Sequence, residues 1–538
     1  MALPVEQERP VAAPEPEPAA PRTGRSVRLV AGLPRTGLAV LCGLLLALSF
    51  PPYEHLWPLS VVGVAGLSLL TRGRTARQGA WTGFAFGLPF FLMLLFWLRV
   101  IGLDATIGLS ALEALFIAAM GAGLAATSRL PGWPLWAACL WVTQEWARDR
   151  LPLGGFPWGR LAFANTATPF TPLAAIGGAP LVTFAVALCG TLLAWAVLRL
   201  RRGPRRNPVA AALAGLGAAA TLLAGYLVPV PTSAADTVKV AVIQGNVPNP
   251  GMHFLGTPMT VLKNHASATE QLAADVAAGR AERPDIVIWP ENSSDFDPFE
   301  SAEAYGRIDA AVKAIGVPVL VGALVDGPDE QHVLNQGIVW DPKTGPGASY
   351  TKQHPVPFGE YVPFRDQLSK VITRLQQVAR DFFPGTTSGV LQLGPARIGD
   401  VICFEVAYDD IVRDTVNEGG RVLVVQTNNA TYAKSGQPDQ QLAMSRLRAV
   451  EHGRAVLIAA TSGISAIVAP DGEVTQRTEE LTAAQLSAVV PLRDGTTVAD
   501  RVGATPEWVL ALAGLAACGL VAFNGLRRRK GAGTPAEG

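Results

Sequence analysis

The sequence predicts a multi-span α-helical membrane domain joined to one α/β domain. Three observations carry this. Of the 538 residues, 49% are hydrophobic and only 16% charged, against roughly 25% charged in ordinary soluble domains. Eight apolar runs are separated by segments whose arginines fall almost entirely on alternate sides. One long polar region, about 236–495, alternates β-branched runs with helical stretches.

Residues 1–35 are rich in Pro, Ala, Glu and Arg without apolar periodicity, and read as a disordered cytoplasmic tail. Basic residues reach far into the chain before the first apolar run, and no cleavage-like small-residue stretch follows, which argues against a signal peptide. The runs lie at about 36–50, 56–71, 79–98, 107–128, 133–147, 173–198 and 209–230, with an eighth at about 508–526. Several reach the roughly 20 residues that cross a bilayer. The runs 56–71 and 133–147 are short, but the charge distribution requires them. With a cytoplasmic N-terminus and every run crossing, the inside segments hold, within about 15 residues of a run, Arg22, Arg25, Arg28, Arg35, Arg72, Arg74, Arg77, Arg129, Arg199, Arg201, Arg202, Arg205, Arg206, Arg527, Arg528, Arg529 and Lys530. The short outside loops hold only Arg99, Arg148, Arg150 and Arg160, a ratio of 17 to 4 that obeys the positive-inside rule. Omitting one run would flip everything after it. Seven helices over 36–230 thus deliver the chain to the outer face, 508–526 returns it, and 527–538 is a cytoplasmic tail. Gly121-Ala-Gly123 lacks a strand–helix phosphate context and reads as close helix packing. Glu145, near the end of a run, faces either a polar gap between helices or the headgroup layer.

In the polar region, strands are expected at 238–244, 285–289, 317–322, 397–402, 421–427, 455–460 and 464–469. Helices are expected at 260–281, 302–315, 406–418 and 437–452. This is one α/β domain with helices over its sheets, held outside the membrane and tethered at both ends. The net charge of +1 gives no nucleic-acid surface. Cys42, Cys139, Cys189 and Cys518 lie in apolar runs, so Cys403 is alone in the polar region. No disulfide within that domain and no CxxC motif is available. The six histidines, His55, His253, His265, His332, His354 and His452, show no metal-ligand spacing, so neither metal nor cofactor is expected.

Cys403 ends the run Ile398-Gly-Asp-Val-Ile-Cys403 and precedes an expected helix, whose dipole favours a thiolate. A lone cysteine also fits a small buried hydrophobe. Its neighbours favour chemistry: Glu405 lies two residues on, and Phe404 offers a backbone N–H to an oxyanion. Glu291 closes a strand in Trp289-Pro-Glu291, where strand ends build sites. Lys352 opens a proline-rich, aromatic stretch through Pro363, unlike a solvated surface loop. His354 within it reads as structural.

Trp289-Pro-Glu291, Lys352 through Glu360, and Val401-Ile-Cys-Phe-Glu405 resemble, in chain order, the Glu-Lys-Cys triad of the nitrilase superfamily. Longer strings narrow the resemblance. Val240-Ala-Val-Ile-Gln-Gly-Asn246, Val356-Pro-Phe-Gly-Glu-Tyr-Val-Pro363, Ala443-Met-Ser-Arg-Leu-Arg-Ala-Val-Glu451 and Thr461-Ser-Gly-Ile-Ser-Ala466 are similar to apolipoprotein N-acyltransferases, as is the seven-plus-one layout. The resemblance implies a nitrilase-like α-β-β-α sandwich on the outer side of a bacterial cytoplasmic membrane. It implies Glu291 as general base, Lys352 beside the thiolate and oxyanion, Cys403 as nucleophile, and Glu360 and Glu405 in support. It further implies a phospholipid acyl donor, a Cys403 thioester, and a diacylglyceryl-cysteine apolipoprotein as acceptor.

Two stretches depart from that family. Asn428-Asn429-Ala-Thr-Tyr432 stands where Asn-Asp-aromatic is usual, and Gln437-Pro-Asp-Gln-Gln441 where a histidine-containing stretch is usual. Residues 354–384, with Phe358, Tyr361, Phe364, Phe382 and Phe383, form either an arm that dips toward lipid and excludes water or part of the domain core. Two rival functions remain. A membrane-anchored carbon–nitrogen hydrolase (amidase) would need one anchor rather than eight spans. A non-catalytic membrane scaffold would not need the triad.

Overall fold

The computed structural model describes residues 33–201, 206–247, 249, 251, 259–370 and 372–531. The expected N-terminal tail therefore lies outside the described residues except for 33–35, as do 532–538 and the arginines at 22, 25, 28, 202 and 205. Each of the eight apolar runs forms a helix: α1 (Leu33–Ala47), α2 (Pro58–Thr71), α3 (Ala76–Leu94), α4 (Leu103–Thr127), α5 (Trp133–Arg148), α6 (Ala174–Leu200), α7 (Pro208–Leu223) and a last helix, Thr505–Gly531. The segments 103–127, 171–200, 208–227 and 505–527 are long and apolar enough to cross a bilayer. The protein is thus a multi-span membrane protein.

Small residues let the helices touch. A Cβ on Gly79 of α3 would lie 2.3 Å from the Gly121 carbonyl oxygen of α4, and one on Gly121 would lie 2.4 Å from that of Gly79. Gly121 therefore serves close helix packing. The last helix lies on α5, where Thr143 Oγ1 is 3.1 Å from the Ala511 carbonyl oxygen and the Trp146 and Trp508 rings meet edge-on.

The α/β domain has four layers. One sheet has the order β13-β1-β2-β3-β4-β5, built from β1 (Asp236–Gln244), β2 (Ile286–Ile288), β3 (Val319–Asp326), β4 (His332–Asp341), β5 (Gly345–Thr351) and β13 (Ala484–Leu492), with β6 (Asp381–Phe382) also on β4. The second has the order β12-β11-β10-β9-β8-β7, built from β7 (Val390–Leu393), β8 (Ala396–Ile402), β9 (Val422–Thr427), β10 (Val456–Ala460), β11 (Ala466–Val468) and β12 (Val474–Arg477). Side chains alternate across each strand. Val238, Val240, Ile286 and Ile288 meet Ile398, Ile402, Val422 and Val424 between the sheets. Ala241, Ile243, Val287 and Trp289 face α8 (Thr260–Ala277) and α9 (Ala302–Ile315). Val401, Leu423, Val425 and Ile458 face outward beneath α10 (Asp409–Asn417) and α11 (Gln437–His452). Both faces of the inner strands are buried, which explains their continuous apolar runs. This is the α-β-β-α sandwich expected.

The expected helix at 406–418 is shorter: Cys403–Ala407 is a 3₁₀ segment and α10 starts at Asp409. Strands β4, β5, β6, β7, β12 and β13 were not anticipated. β5 reads Gly-Pro-Gly-Ala-Ser-Tyr-Thr and β4 carries Asn, Gln and Gly, so neither shows apolar alternation.

The sandwich is docked on the helix bundle, not merely tethered to it. The layer of α10 and α11 shares one core with Phe90, Trp97, Trp158 and Phe163 of the bundle. Gln440 of α11 forms the joint. Its Oε1 accepts from Trp97 Nε1 at 3.2 Å and Trp158 Nε1 at 2.6 Å, and its Nε2 donates to the Leu94 carbonyl at 3.1 Å. Arg160 reaches Asp409 at 2.8 Å, and Arg448 meets the same carboxylate at 2.7 Å. Glu145 faces the protein interior, where it accepts from Leu161 N at 2.9 Å and Thr183 Oγ1 at 2.8 Å. Arg148, counted above among loop charges, is buried against Glu113 at 3.1 Å.

Candidate active site

The site gathers at the ends of β2, β5, β8 and β9, between the two sheets. Just past β2, Glu291 Oε1 accepts from Asn335 Nδ2 of β4 at 2.7 Å and from Lys352 Nζ at 3.2 Å. Its Oε2 accepts from the Asn428 backbone N–H, just past β9, at 2.8 Å. Lys352 follows β5, and its Nζ also donates to Glu360 Oε1 at 2.6 Å. Glu360 Oε2 accepts in turn from Val356 N at 2.7 Å. Lys352 is 1% exposed and Glu291 3%, so one ammonium is shared by two carboxylates away from water. Burial opposes its charge, but Glu291 and Glu360 outweigh burial and hold the Lys352 ammonium well above the usual lysine range. Burial also lifts Glu360 above the usual carboxylate range, against the pull of Lys352.

Cys403 sits where β8 breaks off, with φ at +56°. A left-handed backbone at a non-glycine residue costs about 1–3 kcal/mol and clusters at functional sites. The turn aims the thiol off the strand. The expected helix-dipole activation does not apply, because the α-helix begins six residues later. Instead burial, and next the Glu291 carboxylate, push the Cys403 thiol up to about 12, with Lys352 and Thr427 pulling the other way. At neutral pH the resting group is a thiol, with the Glu291 carboxylate among the charges that act on it.

Glu405 is fully buried and binds the lysine loop to the cysteine strand. It accepts from Ile402 N at 2.7 Å, Gln353 N at 2.6 Å, His354 N at 3.1 Å and Tyr350 OH at 2.9 Å. Its hydrogen bonds go to the neighbours of Lys352 and Cys403 rather than to those two side chains. Phe404 packs against both Phe156 and Trp158 of the bundle, with centroids 5.6 Å and 6.0 Å away. His354 packs its ring on Tyr408 at 4.3 Å.

The two departures from the family strings meet each other. Thr427 Oγ1 lies 3.3 Å from Cys403 Sγ and 3.0 Å from Gln441 Oε1. Asn429 Nδ2 donates to Gln441 Oε1 at 2.6 Å and Gln437 Oε1 at 2.9 Å. Neutral amides thus extend one network beside the thiol, in which Gln441 Oε1 accepts from two sides while Gln441 Nε2 is buried without an acceptor.

Three partners went unforeseen. Thr427 ends an anticipated strand, and its place at that strand's C-terminal end was the available signal. Tyr350 and Asn335 lie on strands with no sequence signal. Among the described residues, no cluster of three or more His, Cys, Asp or Glu side chains is placed to hold a metal.

The stretch 354–384 leaves and rejoins the site as one loop. Phe382 N donates to the Glu360 carbonyl at 2.8 Å, Phe383 N to the Val333 carbonyl at 2.8 Å, and Arg365 pairs with Asp381. Phe358, Phe364 and Phe383 are exposed, and Tyr361 and Phe382 half-buried, so these aromatics are not domain core. Between the loop's base and Leu153–Gly154 of the bundle lies a cavity of about 410 Å³, walled by Gln353, His354, Tyr361, Phe382, Phe383 and Tyr408.

Fold and site define a nitrilase-type sandwich, with a buried carboxylate, lysine and thiol, built onto a membrane helix bundle. The family model for the apolipoprotein N-acyltransferase N-terminal domain matches residues 42–192, and that for carbon-nitrogen hydrolases matches 239–498. The apolipoprotein N-acyltransferase of Mycolicibacterium smegmatis is 42% identical, covering 88% of this chain and 83% of that protein. The enzyme of the same name from Pseudomonas putida is 32% identical, covering 86% and 92%. An amidase of the nitrilase superfamily from Nesterenkonia AN1 aligns with 52% of this chain and 99% of its own, at 19% identity and a TM-score of 0.37. The chain belongs to the apolipoprotein N-acyltransferase family.

Proposed function

We propose that this protein carries an acyl group from a phospholipid, through a thioester on Cys403, to the α-amine of a diacylglyceryl-cysteine apolipoprotein. The observation that supports this most is the ammonium of Lys352, 3.2 Å from Glu291 and 2.6 Å from Glu360, whose charge acts on the thiol that a left-handed turn lifts off β8. Glu291 takes the thiol proton as Sγ attacks the ester carbonyl carbon. Lys352 and the Phe404 N–H hold the oxyanion. The ester C–O bond then breaks, the proton on Glu291 passes to the leaving alkoxide, and a lysophospholipid departs. In the second half the amine attacks the thioester and the N–C bond forms. The C–S bond breaks, and Glu291 moves the amine proton to the sulfur.

The arginine distribution supports seven spans before the catalytic domain and one after it, with that domain on the extracytoplasmic side of the bacterial cytoplasmic membrane. The loop 354–384 and its cavity keep water from the thioester. Replacing Phe382 and Phe383 by serine should lower acyl loading of Cys403 in membranes, and loading equal to wild type would remove the arm from the mechanism.

Mass spectrometry of the protein purified from membranes tests the whole reading. A fatty-acyl mass is expected on the Cys403 peptide, absent in Cys403→Ala, discharged by a diacylglyceryl-cysteine peptide and stable in buffer alone. Rapid discharge by water without amine would identify a hydrolase instead.

A further inference from the structure

Asp400 lies on β8 at an inward position between Ile398 and Ile402, which fill the core between the sheets. It is fully buried, and neither carboxyl oxygen has a hydrogen-bond partner. Across from it stands Gly337 of β4. A Cβ there would lie 2.1 Å from Asp400 Oδ2 and 2.5 Å from Gln426 Oε1, so glycine is what leaves room for both groups, and the two oxygens share one small space. Gln426, on β9, is also fully buried, and its Oε1 likewise has no donor. The amide cannot be turned round. Its Nε2 donates to the Trp289 carbonyl at 2.6 Å, and the reverse orientation would set two oxygens against each other. Three acceptor oxygens therefore meet in an apolar space with no protein donor between them, where an ionised carboxylate would be an uncompensated buried charge.

We infer that Asp400 carries a proton in the working enzyme and donates it to Gln426 Oε1, so that a line of hydrogen bonds from Asp400 through Gln426 to the Trp289 carbonyl fixes the strand end on which Glu291 stands. Asp400 touches no substrate and is a positioning residue. The titratable groups facing it are Glu405 from the 3₁₀ segment, Glu291 from the loop after β2 and Tyr350 from β5. None brings a positive charge. Burial first, then Glu405 and, less strongly, Glu291 hold the Asp400 carboxyl well above the usual range, against the pull of the Val401 N–H. The catalytic half of the inference rests on the role proposed for Glu291, and the proton on Asp400 does not.

The sign is definite. A carboxyl raised in the folded state supports folding fully below the ordinary carboxylate range, and that support is lost as pH climbs toward the raised value. Asp400→Asn keeps the shape and supplies an Nδ2–H donor without taking up a proton. Full-length Asp400→Asn in detergent should therefore melt several degrees above wild type at pH 8, with the gap closing toward pH 4. Infrared difference spectra should show a protonated-carboxyl stretch in wild type that Asp400→Asn lacks. Thioester formation on Cys403 should stay within about threefold of wild type in Asp400→Asn. In Asp400→Leu, which offers no donor, it should fall more than about tenfold in kcat with the donor KM unchanged. A lower Tm for Asp400→Asn throughout pH 5–8, or no protonated-carboxyl band, overturns the inference. A higher Tm with thioester formation as poor as in Asp400→Leu overturns the positioning role. Failure of wild type itself to form the thioester would strike the reading of Glu291 and leave the Tm comparison standing.

Discussion

Replacing Lys352 by methionine will abolish acyl loading of Cys403 and destabilise the protein in the same step. Methionine keeps most of the stem and removes the charge that Glu291 and Glu360 share. Loss of an oxyanion donor alone costs about 10²–10³ in rate. Here the base is disturbed as well, because Glu291 loses one of its three hydrogen bonds. Removing one partner from a buried ionic group costs about 3–5 kcal/mol. Two carboxylates left together cannot both stay ionised, and Glu360, already lifted by burial, is the one to take a proton. A carboxyl raised in this way supports folding at low pH and loses that support as pH rises. The Tm deficit of the variant should therefore be larger at pH 8 than at pH 5. Lys352→Arg should not rescue, since a planar fork does not fit a site built for a compact ammonium. Acylation of Lys352→Met at the wild-type rate would remove Lys352 from the mechanism.

What the sequence revealed follows from where each interaction is local. The β2 and β9 strands are buried on both faces and read as runs rich in β-branched residues, and Glu291 lies three residues past the end of β2. The cysteine turn and the lysine loop are continuous strings whose neighbours mark them. The second carboxylate on Lys352 lies eight residues along the same loop, so it too was within reach. Asn335 was not. It orients Glu291 from 44 residues away, on a strand interrupted by glycine and amides because those positions face the site and the crowded space around Asp400. The joint at Gln440 was hidden for a similar reason: a glutamine on a helix reads as solvated until two tryptophans of another domain are found on its oxygen. The thiolate expectation failed on one local choice. Cys-Phe-Glu-Val-Ala closes as a 3₁₀ turn, because the Glu405 carboxylate holds Ile402 N and the lysine-loop amides, and no α-helix starts at the sulfur.

Glu291→Gln will separate thiol reactivity from acyl transfer, in opposite directions. In the resting site the thiol stands at about 12, raised by burial and then by the negative charge of Glu291. Glutamine has nearly the same volume and removes that charge while Lys352 stays. The thiolate therefore becomes easier to form, and each unit of fall multiplies its share at fixed pH about tenfold. Alkylation of Cys403 by iodoacetamide at pH 8, which follows the thiolate, should be faster in the variant than in wild type. Acyl transfer should go the other way and fall about 10²–10⁴-fold. The amide cannot take the thiol proton during attack, cannot deliver it to the leaving alkoxide and cannot accept one from the incoming amine. One local cost accompanies the change: an amide nitrogen facing the Asn428 N–H sets donor against donor at a bond now 2.8 Å long. That cost weighs on both measurements alike, so it cannot produce opposite signs. If alkylation and acyl transfer fell together and in proportion, the carboxylate would be assisting the thiolate even without substrate, and the assignment of Glu291 as a base acting only during attack would have to be given up.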